Sequence, residues 1–348
     1  MAEKVHCIDR SSAIQYFEDV DEVATVAVFP DGRRMATNSS GGMVRIWDLK
    51  TGNMLIELEG RGAAMNDMAL SRDGEMIASS DDEGYVVAWR VNRDPHGSES
   101  WRELTPAFRS HPSSNKACPL DFSPDGGILA IGSDYTTKLW NTETWTLDKK
   151  SFQYSGSVTC VRYSPIQVDN RLAIATNQNC IYIWNPDNNE KKRIELENTR
   201  VVAVSSVSLV WKPDGTHLLS GGHNDTIIRG WDSSTWEPVH DLDIWKGRTD
   251  YHWHLAINRD GTVVASPTTN NRVRLWRLSD RKTVAIFQHD DLPCCVTFSV
   301  DGKHVLAGGR DTKKISVWAV PTHAWPKNTA ANDQATHQVC WRSSSIYS

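Results

Sequence analysis

The strongest constraint on this 348-residue chain is a tryptophan that recurs at the end of short apolar runs. Each run, such as VRIW before Asp48 or IYIW before Asn185, is rich in β-branched residues and is typical of a strand. Neighbouring tryptophans of this kind stand 42 to 51 residues apart, a period that indicates a repeat architecture. The residues that carry the repeat are Trp47, Trp89, Trp140, Trp184, Trp231, Trp276 and Trp318.

An Asp-Gly pair precedes six of these tryptophans by about sixteen residues, and only the fourth repeat lacks it. Glycine accepts a positive φ without steric cost, so an Asp-Gly step between two apolar runs predicts a hairpin. A small residue follows at a matching place and would let neighbouring sheets approach closely. The pairs begin at Asp31, Asp73, Asp125, Asp214, Asp260 and Asp301, and the small residues are Ala36, Ala78, Ala130, Ala173, Ser220, Ala265 and Ala307.

Over residues 12–320 these units resemble the WD-repeat (WD40) β-propeller family, because both markers recur together at the family's spacing. The resemblance implies an all-β fold of seven blades, each a four-stranded antiparallel sheet. An open ring would expose sheet edges, so we expect an N-terminal strand at residues 12–18 to complete the last blade. Ile14 and Tyr16 then fill the apolar places of Ile56 and Leu58. Residues 1–11 form a lead and residues 321–348 a tail that partly docks on the ring.

The repeats depart from the family in the hydrogen-bond network that joins a His and an Asp to the tryptophan. Only Asp134 and Asp225 stand six residues before their tryptophan, Asp311 stands seven before, and only His289 falls at the entrance of a repeat. A buried polar network stabilises a turn only when every member is satisfied. We therefore expect several blades to be held mainly by packing.

Composition narrows the class of partner and the compartment. A net charge of -5 and a pI near 6.2 provide no overall positive field for nucleic acid or an anionic membrane, so neither partner is expected. The seven cysteines contain no CxxC pair, and no segment has the apolar length of a signal or membrane helix. We expect an intracellular protein, cytoplasmic or nuclear, that is a monomeric propeller or part of a larger assembly.

Motifs for catalysis and for nucleotide binding are absent from the sequence, which contains no GxGxxG, Walker-type, HExxH or GxSxG pattern. His252 and His254 would lie on one face of a strand and could supply two metal ligands, but no third ligand is identifiable. We predict neither enzymatic activity nor a catalytic residue, a metal or a cofactor.

The resemblance implies an interaction scaffold that binds a protein or peptide on one face of the ring. Two alternatives stay open: a small-ligand or carbohydrate-binding propeller, and a propeller enzyme, since one fold hosts many functions. In the family, partners dock most often on the loops that link outer to inner strands and on the second-to-third-strand turns. The insertion at residues 244–252 is predicted to be one such loop. The candidate partner-binding residues are Arg61, Arg200, His223, Trp245, Arg248, Tyr251 and Arg310.

Overall fold

The computed structural model describes most of the chain, with gaps in several connections and at both ends. The described residues are 12–19, 21–93, 99–110, 118–196, 207–222, 227–240, 244–245, 254–268, 270–309, 311 and 313–324.

Twenty-eight strands form seven separate four-stranded antiparallel sheets, one for each tryptophan repeat. Blade 1 holds β2 (Val23–Val28), β3 (Arg34–Ser39), β4 (Met43–Asp48) and β5 (Met54–Glu59). Blade 2 holds β6 (Met65–Leu70), β7 (Met76–Asp81), β8 (Tyr85–Arg93) and β9 (Glu99–Arg109). Blade 3 holds β10 (Leu120–Phe122), β11 (Ile128–Ser133), β12 (Thr136–Asn141) and β13 (Leu147–Gln153).

Blade 4 holds β14 (Val158–Tyr163), β15 (Leu172–Thr176), β16 (Cys180–Asn185) and β17 (Glu190–Glu195), and blade 5 holds β18 (Val207–Trp211), β19 (His217–Gly222), β20 (Ile227–Asp232) and β21 (Ile244–Trp245). Blade 6 holds β22 (Ala256–Ile257), β23 (Val263–Thr268), β24 (Arg272–Arg277) and β25 (Lys282–Gln288). Blade 7 holds β26 (Pro293–Phe298), β27 (His304–Gly309), β28 (Lys314–Ala319) and, as its outer strand, β1 (Gln15–Glu18). The first strand of each blade contacts the first strand of the next, and β26 contacts β2, so the sheets close into a seven-bladed propeller.

The anchor tryptophans pack each blade onto the blade before it. Trp47 of blade 1 lies among Cys295, Leu306 and Val317 of blade 7, and Trp231 of blade 5 lies beside Ile194 of blade 4. Burial of such large side chains contributes a few kcal/mol each, about 25 cal/mol per Å² of apolar area. The repeated tryptophan therefore holds neighbouring sheets together.

The Asp-Gly turns form as the sequence predicts. Gly32 has φ +66°, and the Asp31 carboxylate accepts hydrogen bonds from the backbone N–H groups of Arg33 (2.8 Å) and Arg34 (3.1 Å). The side chain thus satisfies donors that the tight turn leaves unpaired.

The small residues do not all share one register position. In five blades the predicted alanine pairs with the residue just before the tryptophan, as Ala36 pairs with Ile46. Ser220 and Ala307 instead pair with Arg229 and Ser316, two residues before their tryptophans. The prediction that the small residues share one register position was therefore wrong for blades 5 and 7. Counted back from the tryptophan, the second strands of these two blades begin one residue earlier than that of blade 1.

The N-terminal strand closes the ring, as predicted. Strand β1 pairs with β28 from Gln15 opposite Val317 to Glu18 opposite Lys314, and the amide of Asp19 donates to the carbonyl of Lys313 at 2.7 Å. The apolar register was wrong by one residue. Phe17 is the buried residue and packs against Trp47 at 6.2 Å, whereas Ile14 and Tyr16 are 59% and 47% exposed.

The extra residues of blade 2 and the segment that follows blade 7 both take a defined structure. The extra residues of blade 2 lengthen β8 and β9 into a hairpin whose pairing reaches Arg93 opposite Glu99. Trp101 lies within it against Phe29 at 5.9 Å, so it braces the blade. After blade 7, a short 3-10 helix at Thr322–Ala324 packs on β25, and Ala324 is fully buried.

No helix in the described part of the chain is long and apolar enough to cross a membrane. The five cysteines at described positions are free thiols.

Candidate functional site

The two faces of the ring differ in the connections that they carry. The lower face carries the Asp-Gly turns between first and second strands, such as the turn at Asp31. The upper face carries the turns between second and third strands and the loops that lead from each outer strand to the next blade. The predicted docking residues belong to the upper face, and blade 2 shows that face with side chains described.

On the upper face of blade 2, two arginines lie against one tyrosine. The guanidinium carbon of Arg61 lies 3.5 Å from the ring centroid of Tyr85, and that of Arg109 lies 5.8 Å from it. Nη1 of Arg61 also lies 3.6 Å from Oε2 of Glu83, with the two side chains 36% and 60% exposed. We call Arg61, Glu83, Tyr85 and Arg109 the Tyr85 cluster.

The sequence folds the Tyr85 cluster through the turn that precedes β8. The carboxylate of Asp81 accepts hydrogen bonds from the amides of Glu83 (3.0 Å) and Tyr85 (2.8 Å), which fixes the turn. Burial raises the pKa of Asp81, while these two amides lower it. The charge of nearby Arg61 also lowers the pKa of Asp81, so this buried carboxylate contributes to the electrostatics around Arg61.

Blade 3 extends the same surface. Nζ of Lys138 donates to the carbonyl of Ser110, the residue after Arg109, at 3.1 Å. On the adjoining turn of blade 3, Tyr135 is 60% exposed. The upper face of blades 2 and 3 thus presents arginine and tyrosine, side chains that anchor many protein interfaces.

Arg61 is the one predicted partner-binding residue whose side chain the structure describes, and it lies on the upper face. Trp245 has its backbone described, paired with Ile227 in strand β21. Ile244, predicted to open an exposed loop, is instead a fully buried strand residue opposite Ile228. Outside the described residues lie Arg200, His223, Arg248, Tyr251 and Arg310, with residues 246–252 of the predicted loop.

Sequence reasoning missed Tyr85 and Arg109. Tyr85 opens the third strand of its blade and Arg109 ends the fourth, so a pattern of strands and turns treats both as ordinary strand residues. The pairing of β8 with β9 sets Tyr85 opposite Arg109, a register that the sequence alone does not give.

Arg45 is buried and serves the fold. Its guanidinium contacts Asp19 (2.5 Å), Glu57 (2.7 Å) and Asp21 (3.0 Å), and its side chain is 4% exposed. Asp19 immediately follows the closing strand β1, so this ion-pair network ties the closing strand to blade 1.

A second charged group lies at the axis of the ring, on the inner strands of blades 2 to 4. Asp67 accepts from the amide of Leu120 at 3.1 Å, and Asp121 accepts from the amide of Tyr163 at 2.7 Å, so each carboxylate fastens its blade to the next. Burial raises the pKa of Asp67 and raises that of Asp121 to about 6, although Arg162 counteracts both shifts.

Arg162 balances these two carboxylates. Burial opposes its charge, but Cys160, Asp67 and Asp121 raise its pKa. Burial and the nearby Arg162 lower the pKa of His254 to about 4, so this imidazole is neutral at pH 7. The axial carboxylates accept from backbone amides of the next blade, and the charge of Arg162 offsets their burial, so these groups help to hold the blades together.

Among the described residues, no three His, Cys, Asp or Glu side chains are grouped so that they could hold a metal ion. His252, one of the two histidines considered as ligands, lies outside the described residues.

Comparison with known proteins agrees with this architecture. The family model described as "WD domain, G-beta repeat" matches residues 15–48, 105–141, 197–232 and 281–318. The human protein "WD repeat and SOCS box-containing protein 1" is 26% identical over 289 residues, 82% of this chain and 57% of that protein. "Periodic tryptophan protein 2 homolog" of Dictyostelium discoideum is 22% identical over 83% of this chain and 30% of its own length.

The chain therefore spans 57% of the first relative and less than a third of the second. The matched repeats alternate with blades that the structure shows to have the same four strands and the same anchor tryptophan. With its closing strand and seven blades, the chain is a seven-bladed β-propeller that matches the WD-repeat model in four of its blades and is similar to WD-repeat proteins over most of its length.

Proposed function

We propose that this propeller is a non-catalytic interaction scaffold and that a protein or peptide docks on its upper face. The observation that carries the proposal is the Tyr85 cluster, where Arg61 stacks on Tyr85 at 3.5 Å and remains partly exposed. A stacked arginine retains little conformational freedom, so a partner that binds it loses less entropy than with a free side chain.

The similarity to WD-repeat proteins supports the same class of function, since members of this family generally bind protein partners. The axial charges do not favour the small-ligand alternative, because they engage one another and the amides of neighbouring blades. We place the protein inside the cell as part of the same proposal.

Affinity capture with matched variants tests the proposal. The bait is the full chain, and the variant combines Arg61→Glu with Tyr85→Ala, which removes the stacked pair and reverses one charge on the upper face. The control is Arg33→Glu, a charge reversal at an exposed position in a lower-face turn.

We expect proteins retained by the parent and the control to be lost from the upper-face variant, with all three baits melting within a few degrees of each other. The proposal fails if the Arg33 variant loses the same proteins or if the upper-face variant retains all of them.

A further inference from the structure

Resting on the proposed function, we infer that the Tyr85 cluster binds an acidic peptide segment, one of whose carboxylates replaces Glu83 beside Arg61. The inference concerns the chemistry of the partner, whereas the proposed function concerns only the face on which a partner docks.

The geometry of Arg61 suits a carboxylate. The guanidinium carbon of Arg61 lies over the Tyr85 ring at 3.5 Å, so one face of the guanidinium is covered and its N–H donors remain available to a partner at its edges. A carboxylate accepts two such donors in parallel, the strongest arrangement for this pair of groups. Tyr85 therefore orients Arg61 for an acidic group before any partner arrives.

The group now beside Arg61 is weakly held. Nη1 of Arg61 lies 3.6 Å from Oε2 of Glu83, which is longer than an ordinary hydrogen bond, and the Glu83 side chain is 60% exposed. Exposed pairs of this kind contribute about 0–1 kcal/mol. An incoming carboxylate that binds with both oxygens can displace Glu83 at little cost.

Two further cations lie within the same surface. Arg109 approaches the same Tyr85 ring at 5.8 Å, and Lys138 is tethered to the carbonyl next to Arg109 at 3.1 Å. Arg61 lies on the loop from blade 1 to blade 2, Arg109 ends the outer strand of blade 2 and Lys138 lies in the third strand of blade 3, so the three cations span blade 2. A segment with two or three acidic side chains could follow this line toward Tyr135, whose exposed ring offers an apolar contact.

A peptide fits better than a long polyanion. The whole chain carries a net charge of -5, and Asp82 and Glu83 stand exposed beside the arginines. A nucleic acid would bring regularly spaced phosphates against these carboxylates. A peptide can place its acidic side chains on Arg61 and Arg109 and neutral residues over Asp82.

The test uses a defined probe, a fluorescein-labelled peptide of about twelve residues with Glu at alternate positions and a single central Leu. Its controls are the same peptide with Gln at every Glu position and a version with phosphoserine in place of Glu. Dissociation constants are measured by fluorescence anisotropy at low and at physiological ionic strength.

Three variants of the full chain are expected to weaken, to tighten and to leave unchanged the binding of the Glu peptide. Arg61→Ala should raise the dissociation constant of the Glu peptide about tenfold, which is the loss expected for one charge-assisted pair. Glu83→Gln should tighten binding about two- to fivefold, because it removes the competing carboxylate. Arg193→Ala is the matched control and should have no effect, since Arg193 forms an exposed pair with Glu195 at 3.2 Å on blade 4.

The inference is overturned if the Gln peptide binds as tightly as the Glu peptide, if Arg61→Ala binds unchanged, or if Glu83→Gln weakens binding. Binding of the phosphoserine peptide alone would assign the site to phosphopeptides and overturn the acidic-peptide assignment. If affinity capture depends on Arg61 and Tyr85 while the Glu peptide fails to bind, the docking face stands and the partner chemistry is wrong.

Discussion

Blades 1 and 7 meet where the ring closes, yet their anchor tryptophans are held in different ways. In blade 1 the indole N–H of Trp47 donates to Thr37 at 3.0 Å, and the Thr37 hydroxyl donates to Asp19 at 3.1 Å. In blade 7 the fully buried Trp318 stacks on Phe287 at 5.3 Å, and its N–H has no hydrogen-bond partner in the part of the chain described.

One register position explains the difference. Thr37 pairs with the residue two before Trp47, and Ala307 takes the corresponding place before Trp318, where it offers no hydroxyl. Blades 3 and 4 carry Ile131 and Ile174 there, and the N–H of Trp140 likewise lacks a described partner. In blade 4 the N–H of Trp184 instead donates to the side chain of Asn189 at 3.3 Å. Packing onto the preceding blade therefore suffices to hold the anchor where, as in blades 3 and 7, its N–H has no described partner.

The largest expected effect comes from breaking the network of blade 1 at its centre. Arg45→Ala leaves the fully buried Asp19 carboxylate without its ion pair, and loss of one partner of a buried pair costs about 3–5 kcal/mol. Denaturant titration measures the loss. Glu57→Gln, at the 40% exposed end of the same network, should cost about 0–1 kcal/mol; equal losses would refute the ranking by burial.

Blade 3 carries the buried Asp121, whose raised pKa predicts a pH dependence that blade 1 does not share through its Thr37 hydroxyl. Folded Asp121 holds its proton up to about pH 6, whereas the unfolded chain releases it near 3.8, so the folded state binds more protons in between. Its contribution to stability falls as pH rises from 4 to 6, by roughly 2 kcal/mol.

Asp121→Asn keeps an acceptor for the amide of Tyr163 and removes the titration. Unfolding free energies at pH 4, 5, 6 and 7 should show the parent losing stability relative to this variant as pH rises. A parent that gains relative to the variant over that range would contradict the sign.

A smaller effect is expected when the hydroxyl of blade 1 is removed. Thr37→Val preserves shape but leaves the N–H of Trp47 without its acceptor, at a cost of about 1–3 kcal/mol. Ile131→Val at the matching place in blade 3 removes one methylene and no hydrogen bond, at about 0.5–1.5 kcal/mol. A loss from Thr37→Val no larger than that from Ile131→Val would mean that the hydrogen bond contributes nothing.

The smallest effect is a gain in blade 7. Nε2 of His289 and the N–H of Trp318 are both buried without a described partner, and their rings lie 6.0 Å apart. Nδ1 of His289 is 2.8 Å from Asp291, so the histidine is already oriented. Ala307→Ser places a hydroxyl at the position that Thr37 occupies in blade 1, and should stabilise the protein by about 0.5–1.5 kcal/mol. A melting temperature at or below that of the parent would show that the introduced hydroxyl does not bond to the N–H of Trp318 and Nε2 of His289.

The sequence predicted the features that repeat and missed those that depend on register. Trp47 and its counterparts, the Asp-Gly turns and the closing strand follow from local chemistry recurring at a fixed period. Phe17 in place of Tyr16 required the pairing of β1 with the distant strand β28, and Leu306 in place of Ala307 required the register of the neighbouring strands β27 and β28. In either case a shift of one residue reverses the face of every side chain.

The Tyr85 cluster was beyond the reach of the sequence for a similar reason. Arg61, Tyr85 and Arg109 come from a loop, the start of one strand and the end of another, and only the folded blade brings them together. Arg61 was predicted as a partner-binding residue because the repeat pattern placed its loop on the docking face. The same pattern gave no reason to expect Tyr85 beside it.

Hydrogen–deuterium exchange with and without the Glu-containing peptide tests most directly whether binding resides in the Tyr85 cluster. The account predicts slower exchange in the bound state at residues 60–64, 82–85 and 108–110, with the lower-face turns at residues 31–33 and 72–74 unchanged. Protection confined to those lower-face turns, or no protection at the upper face of blade 2, would contradict it.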